Sequence, residues 1–537
     1  MMYEIRLADK GLLNMLERRF KGTELEGYLG GPGTLLLTAY DGTDFAGLAE
    51  LQFMESVSYV MLGNGYEEKA NEVIRALLEA VENIAFRRVL VQNADMFNRT
   101  LLFDLGYREL SGANTFVKRL KGTREFKTYA EFEAFMAGQP QRVYSLDHFK
   151  ACMHEVFDFQ NGVTCVHVGG TNGKGSTVNY MYEVLSQAGY RVGTFTSPPM
   201  TSRLDIIRVA GTPISERVIT TIASRYLELW LKYELSMFEI EVFIALVYFL
   251  YQGIDLAIFE VGLGGTLDAT NIIHPILAIN TNIGLDHVDY LGHTYASIAE
   301  NKAGIVKKYV PYLTGETRGE CLEVFRRVCK EHQSRLLQVV MPENVVYDDY
   351  ITFTWKGERY AIDTKAKYQV KNAALALTAL GCIKTKFPVD VEDAQLGMYK
   401  AHWAGRFETI HEDPLIVIDG AHNKEGMEAF FETAREYGDV AVIYSAFRDK
   451  AIHEMIGILK ELTDDITVTT FDHRRAASVE ELRDNLDVKT DPSWQHAVDE
   501  ALKGTKTTFV TGSLALISLV RAYVRGKEQT KQSEDGE

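Results

Sequence analysis

The clearest periodicity in the chain is an apolar stripe at spacings of three and four through Ala70, Val73, Ile74, Leu77, Leu78, Val81 and Ile84, which predicts an amphipathic helix. Around it, residues 35–38, 57–61 and 89–91 read as strands, with Val57, Tyr59 and Met61 sharing one face at period two. These elements predict a small α/β unit over residues 1–122, and the charged stretch 121–127 reads as its linker. A second block, residues 123–401, opens with helical patterns near 129–136 and 146–157. It then enters a β-branched run and a glycine-rich turn at 163–176. A helix follows with Val178, Met181, Tyr182, Leu185 and Ala188 on one face, closing at Gly189. Strands at 191–196, 256–259 and 277–280 and a long helix at 238–250 complete the block. Residues 256–259 are apolar throughout, as in a parallel sheet covered on both faces. Residues 402–526 alternate strands at 415–418, 440–444, 466–470 and 508–511 with helices, the pattern of a Rossmann-like sheet. The fold class is α/β throughout, and the polar tail 527–537 is expected to be disordered.

Composition excludes some classes of partner. Apolar residues make up 46% and charged residues 24%, so ordinary cores can be buried. A net charge of −17 argues against nucleic acid or an anionic membrane, and it requires any phosphate site to be a local positive patch. No apolar run approaches the ~18 residues of a membrane span. The start, Met1-Met2-Tyr3-Glu4, lacks a signal-peptide core. Cys152, Cys165, Cys321, Cys329 and Cys382 are odd in number and scattered, with no metal-type pairing. A cytoplasmic protein with reduced thiols is expected.

The chemistry concentrates in Gly170-Thr171-Asn172-Gly173-Lys174-Gly175-Ser176-Thr177. Strand, glycine turn and helix N-terminus make an anion cradle. Backbone N–H groups point at the ligand, the helix dipole favours negative charge, and Lys174 adds a full positive charge. A nucleoside triphosphate site follows. The usual P-loop places Ser or Thr directly after Gly-Lys to hold Mg²⁺. Here Gly175 stands there and the hydroxyls come later, at Ser176 and Thr177, so part of the metal coordination should come from elsewhere. Ser197, at a strand's C-terminal end, and Glu260, a carboxylate closing a buried strand just before several glycines, are the candidates. Taken singly, each has a plainer reading. Ser197 starts a turn, His287 is a solvated loop histidine, Lys302 lies on a solvated helix face, and a glycine turn merely joins strand to helix.

Together the motifs Gly170 to Ser176, Thr196-Ser197-Pro198, Phe259-Glu260-Val261-Gly262, Leu285-Asp286-His287 and Lys302-Ala303-Gly304-Ile305 closely resemble the folylpolyglutamate synthase/dihydrofolate synthase family of the Mur-ligase superfamily. The resemblance spans residues 128–526 and implies a P-loop central domain followed by a Rossmann-like C-terminal domain. It implies ATP as cosubstrate and two Mg²⁺ positions, the first at Ser197 and Glu260, the second at His287 and Lys302. The lysine is typically carbamylated in that family, which would make Lys302 an anionic ligand. The nucleotide is expected to touch the whole loop from Gly170 to Thr177, Asn372 at the base, Arg406 at the phosphates, Asp419 at the ribose, and His422. Lys174, Lys302 and His287 are the expected catalytic groups. The implied reaction joins L-glutamate to a folate or to dihydropteroate through an acyl phosphate, in a monomer.

Some positions depart from the family. Pro199 stands where members often carry His, and Leu204-Asp205-Ile206-Ile207 where they carry Asn-Glu-Arg-Ile. The segment Tyr144-Ser145-Leu146-Asp147-His148 stands for a Leu-Gly-Leu-(Glu/Asp)-Arg-like stretch. These positions leave open a non-pterin carboxylate as acyl substrate, and a non-catalytic nucleotide-binding protein is a third reading. In the first unit, Asn98 to Tyr107 resembles the end of a GNAT-type acetyltransferase. The segment before its long helix, Tyr66-Glu67-Glu68-Lys69-Ala70-Asn71, has no glycine and carries two carboxylates that would repel a pyrophosphate. A GNAT-like fold without the chemistry is expected there.

Overall fold

The structure is a computed structural model that describes residues 3–8, 31–92, 97–110, 114–122, 125–140 and 145–534. Tyr144, residues 123–124 of the expected linker and the last three residues of the expected tail lie outside the described residues.

The first sheet has seven strands in the order β1-β2-β3-β4-β5-β7-β6. They are β1 (Glu4–Leu7), β2 (Thr34–Asp41), β3 (Asp44–Gln52), β4 (Ser56–Leu62), β5 (Arg88–Val91), β6 (Arg108–Leu110) and β7 (Thr115–Arg119). Helix α1 (Ala70–Ile84) follows β4 and lays the predicted stripe, Val73, Ile74, Leu77, Leu78, Val81 and Ile84, into the core. This sheet does not stand apart. Its core is continuous with that of helix α3 (Glu216–Lys232) and of helix α4 (Met237–Gln252), which packs on the second sheet.

The second sheet has eight strands in the order β11-β10-β9-β12-β8-β13-β14-β15. Strands β8 (Cys165–Gly169), β9 (Val192–Phe195), β12 (Leu256–Glu260), β13 (Leu277–Asn280), β14 (Tyr312–Thr314) and β15 (Leu336–Gln338) run parallel. The short β10 (Ile207–Val209) and β11 (Thr212–Pro213) add an antiparallel edge. Between β8 and β9 runs α2 (Lys174–Gln187), closed by Gly189 at φ +86°. Helix α4 buries nearly its whole circumference from Ile240 to Leu250, because the first sheet's unit covers one side and the second sheet the other. Helix α5 (Tyr295–Ala303) follows β13. A three-stranded sheet, β16 (Glu343–Tyr347), β17 (Ile351–Trp355) and β18 (Glu358–Ile362), leads to α6 (Gln369–Ile383) and α7 (Val391–Lys400).

The last sheet has the order β19-β20-β24-β21-β22-β23, parallel except for β19. Its strands are β19 (Glu408–Glu412), β20 (Leu415–Ile418), β21 (Val440–Tyr444), β22 (Ile466–Val468), β23 (Lys489–Thr490) and β24 (Thr507–Thr511), with α8 (Lys424–Ala434) after β20. The final helix, α9 (Leu514–Glu534), corrects the expectation of a disordered tail. Residues 527–534 continue a helix whose start is packed in the core at Leu516, Ile517 and Val520. Once that nucleus exists, Lys527, Glu528, Gln529 and Lys531 extend it at little cost, being good helix formers.

The first unit is clamped to α3 through the end of α1. Arg225 donates to the carbonyls of Glu82, Asn83 and Ala85 at 2.6, 3.1 and 3.2 Å, and the Tyr226 hydroxyl donates to the Ile84 carbonyl at 2.5 Å. A cation here satisfies carbonyls that have no intrahelical donor and faces the negative end of the helix dipole. Arg225→Ala should therefore cost about 1.5–3 kcal/mol in urea unfolding, the range for hydrogen bonds to a charged group. An unchanged midpoint would show that the clamp carries no stability.

Candidate nucleotide and metal site

Strand β8 is buried at every residue and lies between β12 and β13. Its C-terminal end therefore opens at the sheet's middle, where open parallel sheets hold ligands. Two glycines make the turn. Gly170 sits at φ +133°, and a Cβ there would lie 1.9 Å from the Thr281 hydroxyl oxygen. Gly173, at φ +82°, would place a Cβ 2.2 Å from Asn372 Oδ1, so the predicted base contact already lies against the loop. The loop is fastened from β13's end. The Asn282 carbonyl accepts from the Thr171 amide at 3.0 Å, Asn282 Oδ1 accepts from the Asn172 amide at 3.0 Å, and the Thr281 hydroxyl donates to the Asn172 carbonyl at 2.6 Å. The first turn of α2 then presents N–H groups that have no intrahelical acceptor.

Lys174 donates to the Thr171 carbonyl at 3.1 Å and stands 4.0 Å from Glu260 Oε1. Glu260 Oε2 accepts the Ser197 amide at 3.2 Å. Thus the Ser197 backbone amide meets the carboxylate here. Burial pushes the Glu260 carboxyl up, and Lys174, the Ser197 amide and Arg406 oppose it. Lys302, on α5, is buried and donates to the Gly170 carbonyl at 2.8 Å. Burial, reinforced by the Lys174 charge, lowers its pKa to about 7. An amine in that range is substantially neutral near pH 7 and is nucleophilic.

His287 caps the short helix Val288–Leu291 at φ +51°. Burial lowers its pKa to about 4, against the attraction of Asp286. Asp286 is the hub beside it. It takes Lys450 Nζ at 2.5 Å, Asn423 Nδ2 at 3.2 Å and His422 Nε2 at 3.3 Å. Burial alone would raise its carboxyl, but the His422 bond and the Lys450 charge hold it well below the usual carboxylate range. Asn423 also exchanges amide bonds with Asn172 at 2.9 and 3.0 Å, tying the last sheet's unit to the phosphate loop. Among the described residues, no hydrogen bond or ion pair joins His287 to Lys302.

On the last sheet, Asp419 accepts from the Tyr368 hydroxyl at 2.6 Å and from the Phe407 and Ala421 amides at 2.9 and 2.8 Å. The guanidinium of Arg406 lies over Gly420, where a Cβ would meet Nη1 at 2.6 Å. Lys174, Ser197, Glu260 and Lys302 thus share one crevice with Asn372, while His287 and His422 gather around Asp286. Sequence reasoning did not single out Asn282, Asn423 or Lys450. The first two sit in polar runs at strand ends, which was a usable signal. Lys450 is a loop lysine with none. A cleft of about 300 Å³ adjoins the crevice, lined among others by Asn179, Tyr182, Pro199, Arg208, Trp403 and Arg521.

The donor set fits Mg²⁺. Among the described residues no three His, Cys, Asp or Glu side chains cluster as metal ligands. Mg²⁺ does not require such a cage, since it commonly binds one or two carboxylates, waters and substrate phosphates. Glu260, buried beside a phosphate cradle, supplies the carboxylate.

Residues 168–380 match the family model of the Mur ligase middle domain, and residues 405–514 match that of the Mur ligase, glutamate ligase domain. The chain is 33% identical over 415 residues to a dihydrofolate synthase/folylpolyglutamate synthase of Bacillus subtilis, covering 71% of this chain and 95% of the relative. A folylpolyglutamate synthase of Lacticaseibacillus casei is 29% identical, covering 74% and 99%. The solved structure of E. coli FolC in complex with DHPP and ADP superposes with a TM-score of 0.69 at 27% identity, over 76% of this chain and all of that one.

His167 supplies a pH test of the strand that feeds the loop. Its ring is fully buried, with Nε2 2.8 Å from the Thr270 hydroxyl, and burial lowers its pKa to about 3. Between about pH 6.5 and 3 the unfolded chain binds a proton that the folded chain refuses. Stability must therefore fall as pH drops through that window, by at most about 1.4 kcal/mol per pH unit from this group. Denaturation from pH 6 to 4 should show a shallower slope for His167→Gln than for the parent, and identical slopes would contradict the assignment.

Proposed function

The chain belongs to the folylpolyglutamate synthase/dihydrofolate synthase family, and from that premise we propose that it is an ATP-dependent ligase joining L-glutamate to a folate through an acyl phosphate. The observation that carries the reading is the meeting of Lys174, Glu260 and Lys302 around one phosphate loop, with Lys174 4.0 Å from the carboxylate and Lys302 2.8 Å from the Gly170 carbonyl.

The reaction must bring an anionic carboxylate to an anionic phosphate. The substrate carboxylate attacks the γ-phosphorus, the bond to the β,γ-bridging oxygen breaks, and ADP leaves. The glutamate amine then attacks the acyl carbon of the acyl phosphate, the carbon–oxygen bond to phosphate breaks, and an amide forms as the amine loses its proton. Lys174 and the N-terminus of α2 hold the charge that develops on the phosphoryl oxygens, in a site shielded from water where such contacts are strongest. Mg²⁺ supplies further charge neutralisation when bound. Ser197 and Glu260 would hold one ion, and His287 and Lys302 a second. Lys302 suits that role as a carbamate: its neutral amine adds to CO₂, releases a proton and becomes an anion. Asn372, Arg406, Asp419 and His422 are read as the groups around the nucleotide base, phosphates and ribose.

The cleft beside Pro199, Arg208 and Arg521 is the proposed seat of the acyl substrate. The first unit is read as a support without chemistry of its own. No helix among the described residues is long and apolar enough to cross a membrane. The expectation of a cytoplasmic monomer is kept as part of this reading.

Lys174→Ala and Lys302→Ala should each abolish ligation, a loss of about a thousandfold or more when a charge at the transferring phosphoryl group is removed. The measurement is ATP-dependent incorporation of labelled glutamate on a panel of folates, dihydropteroate and non-pterin acids. Unchanged turnover in either variant would overturn the site. Product on a non-pterin acid, with none on any pterin, would overturn the substrate.

A further inference from the structure

We propose that Trp403 is a positioning residue that fixes the linker onto the phosphate-loop helix, and that position 175 is glycine because this indole fills the space a side chain would need. The inference rests on the nucleotide-site reading above. It accounts for the glycine that stands where the usual P-loop carries Ser or Thr, a departure the metal ligands alone do not explain.

The contact is direct. A Cβ on Gly175 would lie 2.9 Å from Trp403 Nε1 and 3.2 Å from both Cε2 and Cζ2. The first of these is closer than real Cβ contacts come, and the obstacle is the body of a rigid ring. One turn along the same helix, Asn179 Nδ2 donates to the His402 carbonyl at 3.2 Å, so the chain just before Trp403 is held on the same face. Upstream, α7 packs so tightly on α2 that a Cβ at Gly397 would lie 2.5 Å from the Val184 Cα. The segment from Gly397 to Trp403 is therefore laid against α2 along much of its length.

The chain after Trp403 is equally fixed. The Gly405 amide donates to Glu408 Oε2 at 2.7 Å, and the Gly405 carbonyl accepts from the Gly420 amide at 3.0 Å. Glu408 is itself gripped by Arg521 and Arg525 at 2.9 and 2.8 Å. Between these anchors stands Arg406, whose guanidinium covers Gly420 and whose charge reaches Glu260. Arg406, the guanidinium proposed to meet the phosphates, thus lies within one short stretch of the indole seated on the phosphate helix. Displacing Trp403 moves the linker and, with it, the Arg406 charge relative to Lys174.

The test is a double-mutant cycle read by ADP titration calorimetry on the full chain. Gly175→Ala and Trp403→Ala should each weaken ADP binding about tenfold or more. The double variant should bind no worse than the weaker single one, because both changes break the same contact. Trp403→Phe placed in the Gly175→Ala background should recover affinity to within about threefold of the parent, since the smaller ring leaves room for the methyl. The same cycle read as melting temperature tests the packing without nucleotide. Gly175→Ala should lower the melting temperature of the parent chain. In the Trp403→Ala background it should not, because the obstructing ring is gone and only alanine's better helix propensity remains. Losses that multiply in the double variant, or a Gly175→Ala chain that binds and melts like the parent, would overturn the proposal. A parent chain that fails to bind ADP overturns the nucleotide reading instead, and the melting cycle then still decides the contact.

Discussion

The structure depends on holding two lysines close to one glycine loop. Lys174 and Lys302 are anchored to consecutive carbonyls of the loop's start, those of Thr171 and Gly170, and Glu260 lies 4.0 Å from Lys174. Lys174 places a positive charge on the loop of a chain whose net charge is −17. A phosphate cradle needs such a charge, because its anions arrive with the ligand. The same charge contributes to the depressed basicity of Lys302: burial beside a second ammonium makes the neutral amine the easier form.

The remaining architecture keeps that arrangement from collapsing. Strands β8, β12 and β13 run parallel, so the loop, Glu260 and the Thr281-Asn282 fasteners all emerge at the same edge. The last sheet's unit meets the phosphate loop at this edge through polar contacts. Asn423 bonds to Asn172 and to Asp286, and Asp286 also takes His422 and Lys450. Such contacts lose little when water replaces them. They suit an interface that opens to admit substrate and closes to exclude water, which an acyl phosphate requires.

Much of this was legible in the sequence where every local rule agreed. The run from β8 through α2 combines a β-branched strand, glycines at the two left-handed positions and an amphipathic helix closed by Gly189, and each signal points the same way. Glu260 and Lys302 were legible only as members of an ordered motif set, since a lone carboxylate or lysine has a plainer meaning. Contacts between distant segments were not legible. Lys450 finds Asp286 across 164 residues, and Trp403 finds Gly175 from the linker, with no periodicity to announce either. The sheet β16 to β18 escaped for another reason. Its edge strand β16 is exposed along almost its whole length, so it lacks the alternation that marks a half-buried strand. The helical continuation to Glu534 was hidden because polarity was read as disorder, although the same residues propagate a helix once its start is buried.

Helix α4 links the first unit to the chemistry. Because α4 leads directly into β12, its first turn lies at the edge where β12 ends in Glu260. There the Phe238 ring presses on Gly262, leaving 2.5 Å to a Cβ at that position. The same turn carries two buried carboxylates, Glu239 paired with His148 and Glu241 paired with Arg203 from the segment after β9. Burial raises the Glu241 carboxyl to about 7 against the pull of Arg203. Charged pairs at such a place are costly unless their geometry is fixed. The first unit fixes it from behind by covering the opposite side of α4, where Tyr251 packs on Phe86 at 4.7 Å between ring centres. The first unit thereby braces the helix whose other end shapes the loop after Glu260.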